Sequence, residues 1–79
     1  MGFAFQPHQV RVVEEKKELD AKIDKLTVFR FSPTFEALDE SEKSRLRLQH
    51  SVMKLYSDIL GQRIAAFVPL GKQRLDDVI

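Results

Sequence analysis

The chain contains no cysteine, which excludes disulfides, thiolate metal sites and cysteine nucleophiles as sources of stability or chemistry. Long apolar runs are also missing. The longest, Ile64 to Leu70, is broken by Pro69 and falls far short of the ~20 residues that cross a bilayer. The start, Met1-Gly2-Phe3-Ala4-Phe5, lacks the basic region of a secretory signal, and Gln6 stands where a myristoylation motif places Ser or Thr. From these absences we expect no membrane association and a cytosolic location. An excess of one charge is lacking too: thirteen basic and twelve acidic residues leave +1, which argues against bulk nucleic-acid binding.

What is present is short and strongly charged. Seventy-nine residues suffice for one small domain, and a chain of this size buries only about 60% of its unfolded surface. A lone core would be marginal, so self-association is the economical supplement. Hydrophobic residues at 43% and charged residues at 32% fit a soluble helical protein rather than a disordered tail. The charge is also unevenly placed. Residues 31–44 carry Glu36, Asp39, Glu40 and Glu42 against Lys43, a net of −3. Residues 45–67 carry Arg45, Arg47, Lys54 and Arg63 against Asp58, a net of +3. A local cationic segment in a nearly neutral chain suggests a small anionic ligand more than a polymer.

The pattern predicts two helices, about 8–30 and 40–67, in one hairpin domain over residues 1–67, with a C-terminal tail at 68–79. Pro7 suits a first helical turn, where its missing N–H costs nothing. Val10 to Phe29 holds no Gly or Pro, and Val12, Leu19 and Leu26 recur every seven residues with Ile23 between them. Glu15, Glu18 and Lys22 are expected to supply the surface pairing. Ser32-Pro33 ends that helix, because a residue before proline avoids the helical region. Phe31 and Phe35 are expected to plug the connector, and Asp39 followed by Glu42 reads as an N-cap. Pro69 and Gly71 end the second helix, while Gly61 inside it would permit close approach of another backbone. The fold class is all-α: an antiparallel two-helix hairpin assembling into a homo-oligomeric helical bundle.

A helical wheel sharpens the case for assembly. Leu46, Met53, Leu60, Ile64 and Phe67 form one edge of the second helix; Leu48, Val52, Leu55, Ile59 and Ala66 form another, about 120–160° away. One narrow partner helix covers only one of these edges, and the other would mark an interface. Between them lie Arg45, Gln49, Tyr56 and Arg63, with few acidic residues on the same face. Lys16 is the matching anomaly of the first helix, at the seam between Val12 and Ile23, with Gln9 and Arg30 in register. Each alone reads as a snorkelling side chain or a packed tyrosine. Together, Lys16, Arg45, Gln49, Tyr56 and Arg63 are the candidate ligand-binding set, cations and an aromatic ring that suit phosphates and a stacked base at a subunit junction.

Catalytic chemistry is not written in this chain, and an enzyme is not expected. His8 and His50 lack metal-site spacing, and the carboxylates form no isolated acid–base pair. His50 and Ser51 are neighbours that point about 100° apart on a helix. Gly71-Lys72 lacks the glycine-rich loop of a phosphate-binding motif. No metal and no cofactor are expected.

Two stretches carry a resemblance: Gln6 to Leu26, with its run "EKKELDAKIDKL", and Met53 to Phe67, with "YSDILGQRI". Over about residues 6–67 the chain resembles a family of small phage and prophage proteins related to a crAss-like phage. That group is similar in size and hairpin layout to the phage sponges that counter CBASS and Thoeris immunity. The resemblance implies a non-catalytic homo-oligomer, commonly a hexamer, in the host cytoplasm, holding cyclic di- or trinucleotides between chains. No binding residue is carried over from it. Two other readings remain: a protein-interaction module using the exposed edge of the second helix, and nucleic-acid binding through residues 45–63, which the near-neutral total disfavours.

Overall fold

The computed structural model describes residues 5–67, which form three helices: α1 (Pro7–Phe29), α2 (Pro33–Glu36) and α3 (Glu40–Ala65). Pro7 occupies the first turn of α1, and the Gln6 amide donates to Oε1 of Gln9 at 2.7 Å. Asp39 caps α3 as anticipated, its Oδ1 accepting from the Glu42 amide at 2.8 Å. The tail at 68–79, including Gly71-Lys72, and residues 1–4 lie outside the described residues.

The long helices run antiparallel. Phe5 meets Phe67 edge-on at the open end, Lys16 meets Ser57 midway, and Thr27 meets His50 near the turn. At 1.5 Å per residue the rods are roughly 34 and 39 Å long, close enough to pack along most of their length. Among the described residues all regular structure is helical.

Three local expectations need correction. The helices number three, not two: within the connector Pro33–Glu36 form one helical turn, started by Pro33 at its first position and capped by Ser32, whose Oγ accepts from the Phe35 amide at 3.2 Å. That turn points Phe35 inward and Phe31 outward. Phe35 is 2% exposed, edge-on to Phe29 and beneath the Arg47 guanidinium, while Phe31 is 86% exposed. One phenylalanine therefore closes the hairpin, not two. Finally, α3 stops at Ala65, where the Ala66 and Phe67 amides tighten onto the Arg63 and Ile64 carbonyls, two residues before the expected end.

The seam between the rods is partly apolar and partly polar. Val12, Phe35 and Leu60 are the buried hydrophobic side chains, and Leu46, Met53 and Ile64 are half-buried beside them, so the first predicted edge of α3 does face α1. Gln9, Lys43, His50 and Ser57 are buried with them. The second predicted edge is open: Leu48, Val52, Leu55 and Ile59 are 44–65% exposed.

Candidate functional site

Buried polar groups must find partners or cost stability, and here every buried side-chain nitrogen and oxygen among the described residues has one. On α1 and its C-cap, Lys16 follows Gln9 by seven residues and Arg30 follows Lys16 by fourteen; on α3, Lys43, His50 and Ser57 repeat every seven. The two series meet across the seam. Lys16 Nζ donates to Ser57 Oγ at 2.7 Å and pairs with Asp20 at 3.1 Å, and the Ser57 hydroxyl donates to the other Asp20 oxygen. The hydrogen bond from Ser57, followed by that from Lys16, holds the Asp20 carboxyl below the usual carboxylate range.

Nearer the turn, His50 stands between Thr27 and Arg30. The Thr27 hydroxyl gives its proton to the Ile23 carbonyl, so its oxygen accepts from His50 Nε2 at 2.8 Å, and Arg30 donates to Nδ1 at 3.0 Å. These partners assign the neutral Nε2–H tautomer. Burial, then the charges of Arg30 and Lys54, push the imidazole pKa down. At the turn itself Lys43 lies between Glu40 (3.4 Å) and Glu36 (3.8 Å).

Lys16 with Ser57 has the composition of a nucleophile–base pair. Its geometry serves another purpose: the Ser57 proton is directed at Asp20, and the lowered pKa of that carboxylate makes it a weak base. The arrangement satisfies three polar groups between two helices. Among the described residues no cluster of His, Asp or Glu is suited to hold a metal ion.

The outward face of α3 is arranged differently. Arg45, Gln49, Tyr56 and Arg63 form an exposed row at spacings of four, seven and seven residues, beside the open apolar stripe. Arg45 pairs with Glu42 at 2.9 Å, and Gln49 lies 3.8 Å from the Met53 sulfur. The Tyr56 hydroxyl donates to Glu15 on α1, a hydrogen bond that raises its pKa against the smaller opposing effect of the nearby Arg63 charge. Tyr56 itself is 41% exposed. Arg63 has no ion pair or hydrogen-bond acceptor among the described residues.

The structure thus brings four of the five candidates into one row and sets Lys16 apart, turned into the seam. Acidic partners are less scarce than the wheel indicated: Glu42, Glu15 and Asp20 each engage one candidate. Asp20, rather than the adjacent Glu15, is the carboxylate that pairs with Lys16. Gly61 does permit a close approach, but of the Lys16 stem rather than a backbone: a β-carbon there would stand 3.4 Å from Cε. The His50 and Ser57 networks were not anticipated. Their signal was the seven-residue polar spacing on α3, facing the Gln9–Lys16–Arg30 series.

No helix of the described residues is long and apolar enough to cross a membrane. No curated protein and no solved structure matches the chain. A family model does, over residues 6–66, the whole of the hairpin just described. Its name, Sequestin, denotes capture rather than turnover, in keeping with a site that offers charge and a ring face. Matched over more than half of its length, the chain belongs to the Sequestin family.

Proposed function

We propose that this protein is a phage-encoded, non-catalytic sponge that binds cyclic di- or trinucleotide immune signals in the host cytoplasm and thereby blocks host anti-phage signalling. The observation that carries the reading is the exposed row Arg45–Gln49–Tyr56–Arg63 beside the open stripe Leu48–Val52–Leu55–Ile59. Arg63 offers a planar guanidinium without a counter-ion among the described residues, suited to bidentate contact with a phosphate. Tyr56 offers a ring face for a base. The stripe supplies a reason for copies to cluster, which would enclose the row and raise its affinity by excluding water. A hexamer is the assembly we propose. Membership of a sequestering family supports capture without cleavage.

The test is thermal unfolding against a panel of cyclic di- and trinucleotides. Ligand at 100 times its Kd stabilises the fold by about 2.7 kcal/mol, a shift of several degrees for a domain of this size. Arg63→Ala should abolish the shift while leaving the unliganded melting temperature nearly unchanged, since the Arg63 side chain makes no ion pair or hydrogen bond among the described residues. A panel without any shift would sink the nucleotide reading. It would favour the second one, a helical module that docks on a host or phage protein through Leu48, Val52, Leu55 and Ile59, the observation in its favour being their exposure.

A further inference from the structure

The open stripe of α3 carries a specific register. Leu48, Val52, Leu55 and Ile59 are spaced four, three and four residues apart, the alternation of a coiled-coil seam, over about 16 Å of helix. The stripe is also close to self-complementary about a point between residues 53 and 54. Reversing the helix there places Leu55 opposite Val52 and Ile59 opposite Leu48.

Charge selects between the two ways of pairing it with itself. With helices parallel, Arg45 of each copy falls in the seam against the other Arg45, an apposition of like charges offset only by the Glu42 that pairs with each. With helices antiparallel, Arg45 meets Gln62. Along the flank, Glu42 of one copy then comes within two residues, about 3 Å along the axis, of Arg63 of the other, and Gln49 likewise of Tyr56. Parallel pairing would let Asp58 reach Arg63, but it keeps the arginine pair in the seam.

We infer that α3 pairs antiparallel with α3 of a second copy about a two-fold axis near residues 53–54, Val52 against Leu55 and Leu48 against Ile59, so that the two Arg45–Gln49–Tyr56–Arg63 rows merge on one side of the pair. This rests on the self-association in the proposed function and gives it a geometry. Isologous contacts of this kind are the commonest in homo-oligomers. The merged row has the two Tyr56 side chains near its middle, about 8 Å apart along the axis, each within two residues of Gln49 of the other copy. At either end stands Arg63 of one copy with Glu42 and Arg45 of the other, two guanidinium groups to one carboxylate. The ligand surface of one hairpin is thus half of the assembled one.

The chain's lack of cysteine makes the geometry directly testable. Val52→Cys and Leu55→Cys proteins are prepared separately, mixed under reducing conditions and then oxidised. Antiparallel pairing is expected to give predominantly the mixed 52–55 crosslink, since these positions face one another. The complementary mixture of Leu48→Cys and Ile59→Cys should behave alike. Predominant 52–52 and 55–55 products would overturn the orientation. A single-copy mass at micromolar concentration with no crosslink would overturn the pairing. The nucleotide reading is judged separately, by whether the crosslinked 52–55 species shifts its melting temperature with any panel member. Binding by a single-copy hairpin would sink the pairing and keep the ligand, whereas crosslinking without any ligand shift would do the reverse.

Discussion

Helix α3 has two sides that invert the usual arrangement. The side turned toward α1 buries Lys43, His50 and Ser57 along with Leu60, while the side turned away displays Leu48, Val52, Leu55 and Ile59. Apolar burial is non-directional and tolerates sliding, whereas a buried hydrogen-bonded group accepts few positions. The inner side therefore fixes how the two rods align, and the outer side holds back much of the apolar surface for another purpose. The hairpin thus sets polar groups in its seam and leaves Leu48 and Leu55 on its exterior, the arrangement on which the pairing proposed above rests.

The sharpest way to break this contrast is to remove the same side chain from each face. Leu60 is fully buried, and Leu60→Ala should cost about 2–5 kcal/mol. Leu55→Ala should change the stability of a dilute single copy by no more than about 0.5 kcal/mol. Denaturant unfolding at low protein concentration decides it. Equal losses would mean that the outer stripe is already covered within one chain.

The next largest effect concerns the midpoint of the seam. Asp20→Ala leaves the Lys16 ammonium and the Ser57 hydroxyl without their shared acceptor, and we expect a loss of stability smaller than that of Leu60→Ala, moderated by the partial solvent access of the pair. Asp20→Asn should recover part of it, because the amide oxygen still accepts from Ser57. If both variants unfold with the parent, the polar seam contributes nothing to register.

The smallest effect is a slope against pH. The folded-state pKa of His50 lies below its unfolded value of about 6.5, so between the two the unfolded chain binds the extra proton. Stability should decline as pH falls below about 6.5, because an Nδ1 proton would be directed at the Arg30 guanidinium. His50→Gln should flatten that slope. Asp20 acts in a separate window: its lowered pKa stabilises the fold above about 3.8, an advantage lost as pH falls further. A parent stability profile flat between pH 7 and 5 would contradict the buried neutral imidazole.

Much of the fold was legible in the sequence because it rests on local rules. Pro7, Ser32-Pro33 and Asp39-x-x-Glu42 mark helix ends through backbone chemistry, and the structure places the ends there. The two edges of α3 were also readable, since periodicity at 3.6 residues assigns faces without knowing the partner. What periodicity does not carry is pairing. It set Lys16 among candidate ligand contacts, and only the juxtaposition of two helices shows that Ser57 and Asp20 reach it first. It also treated Phe31 and Phe35 alike, although one turn of helix between Pro33 and Glu36 sends them in opposite directions. The row of Arg45, Gln49, Tyr56 and Arg63 was visible as a row because all four belong to one helix.

The reversal at residues 30–38 sets the order in which the hairpin can close. Phe29 and Phe35 are six positions apart along the chain, and Ser32 ties that bend to itself by accepting from the Phe35 amide and donating to the Phe29 carbonyl. Phe5 and Phe67, at the other extremity, are separated by 62 positions. Chain entropy makes the second encounter about 2 kcal/mol costlier than the first if each forms unaided. The rods consequently zip from bend to tips, each matched polar pair shortening the span left for the next.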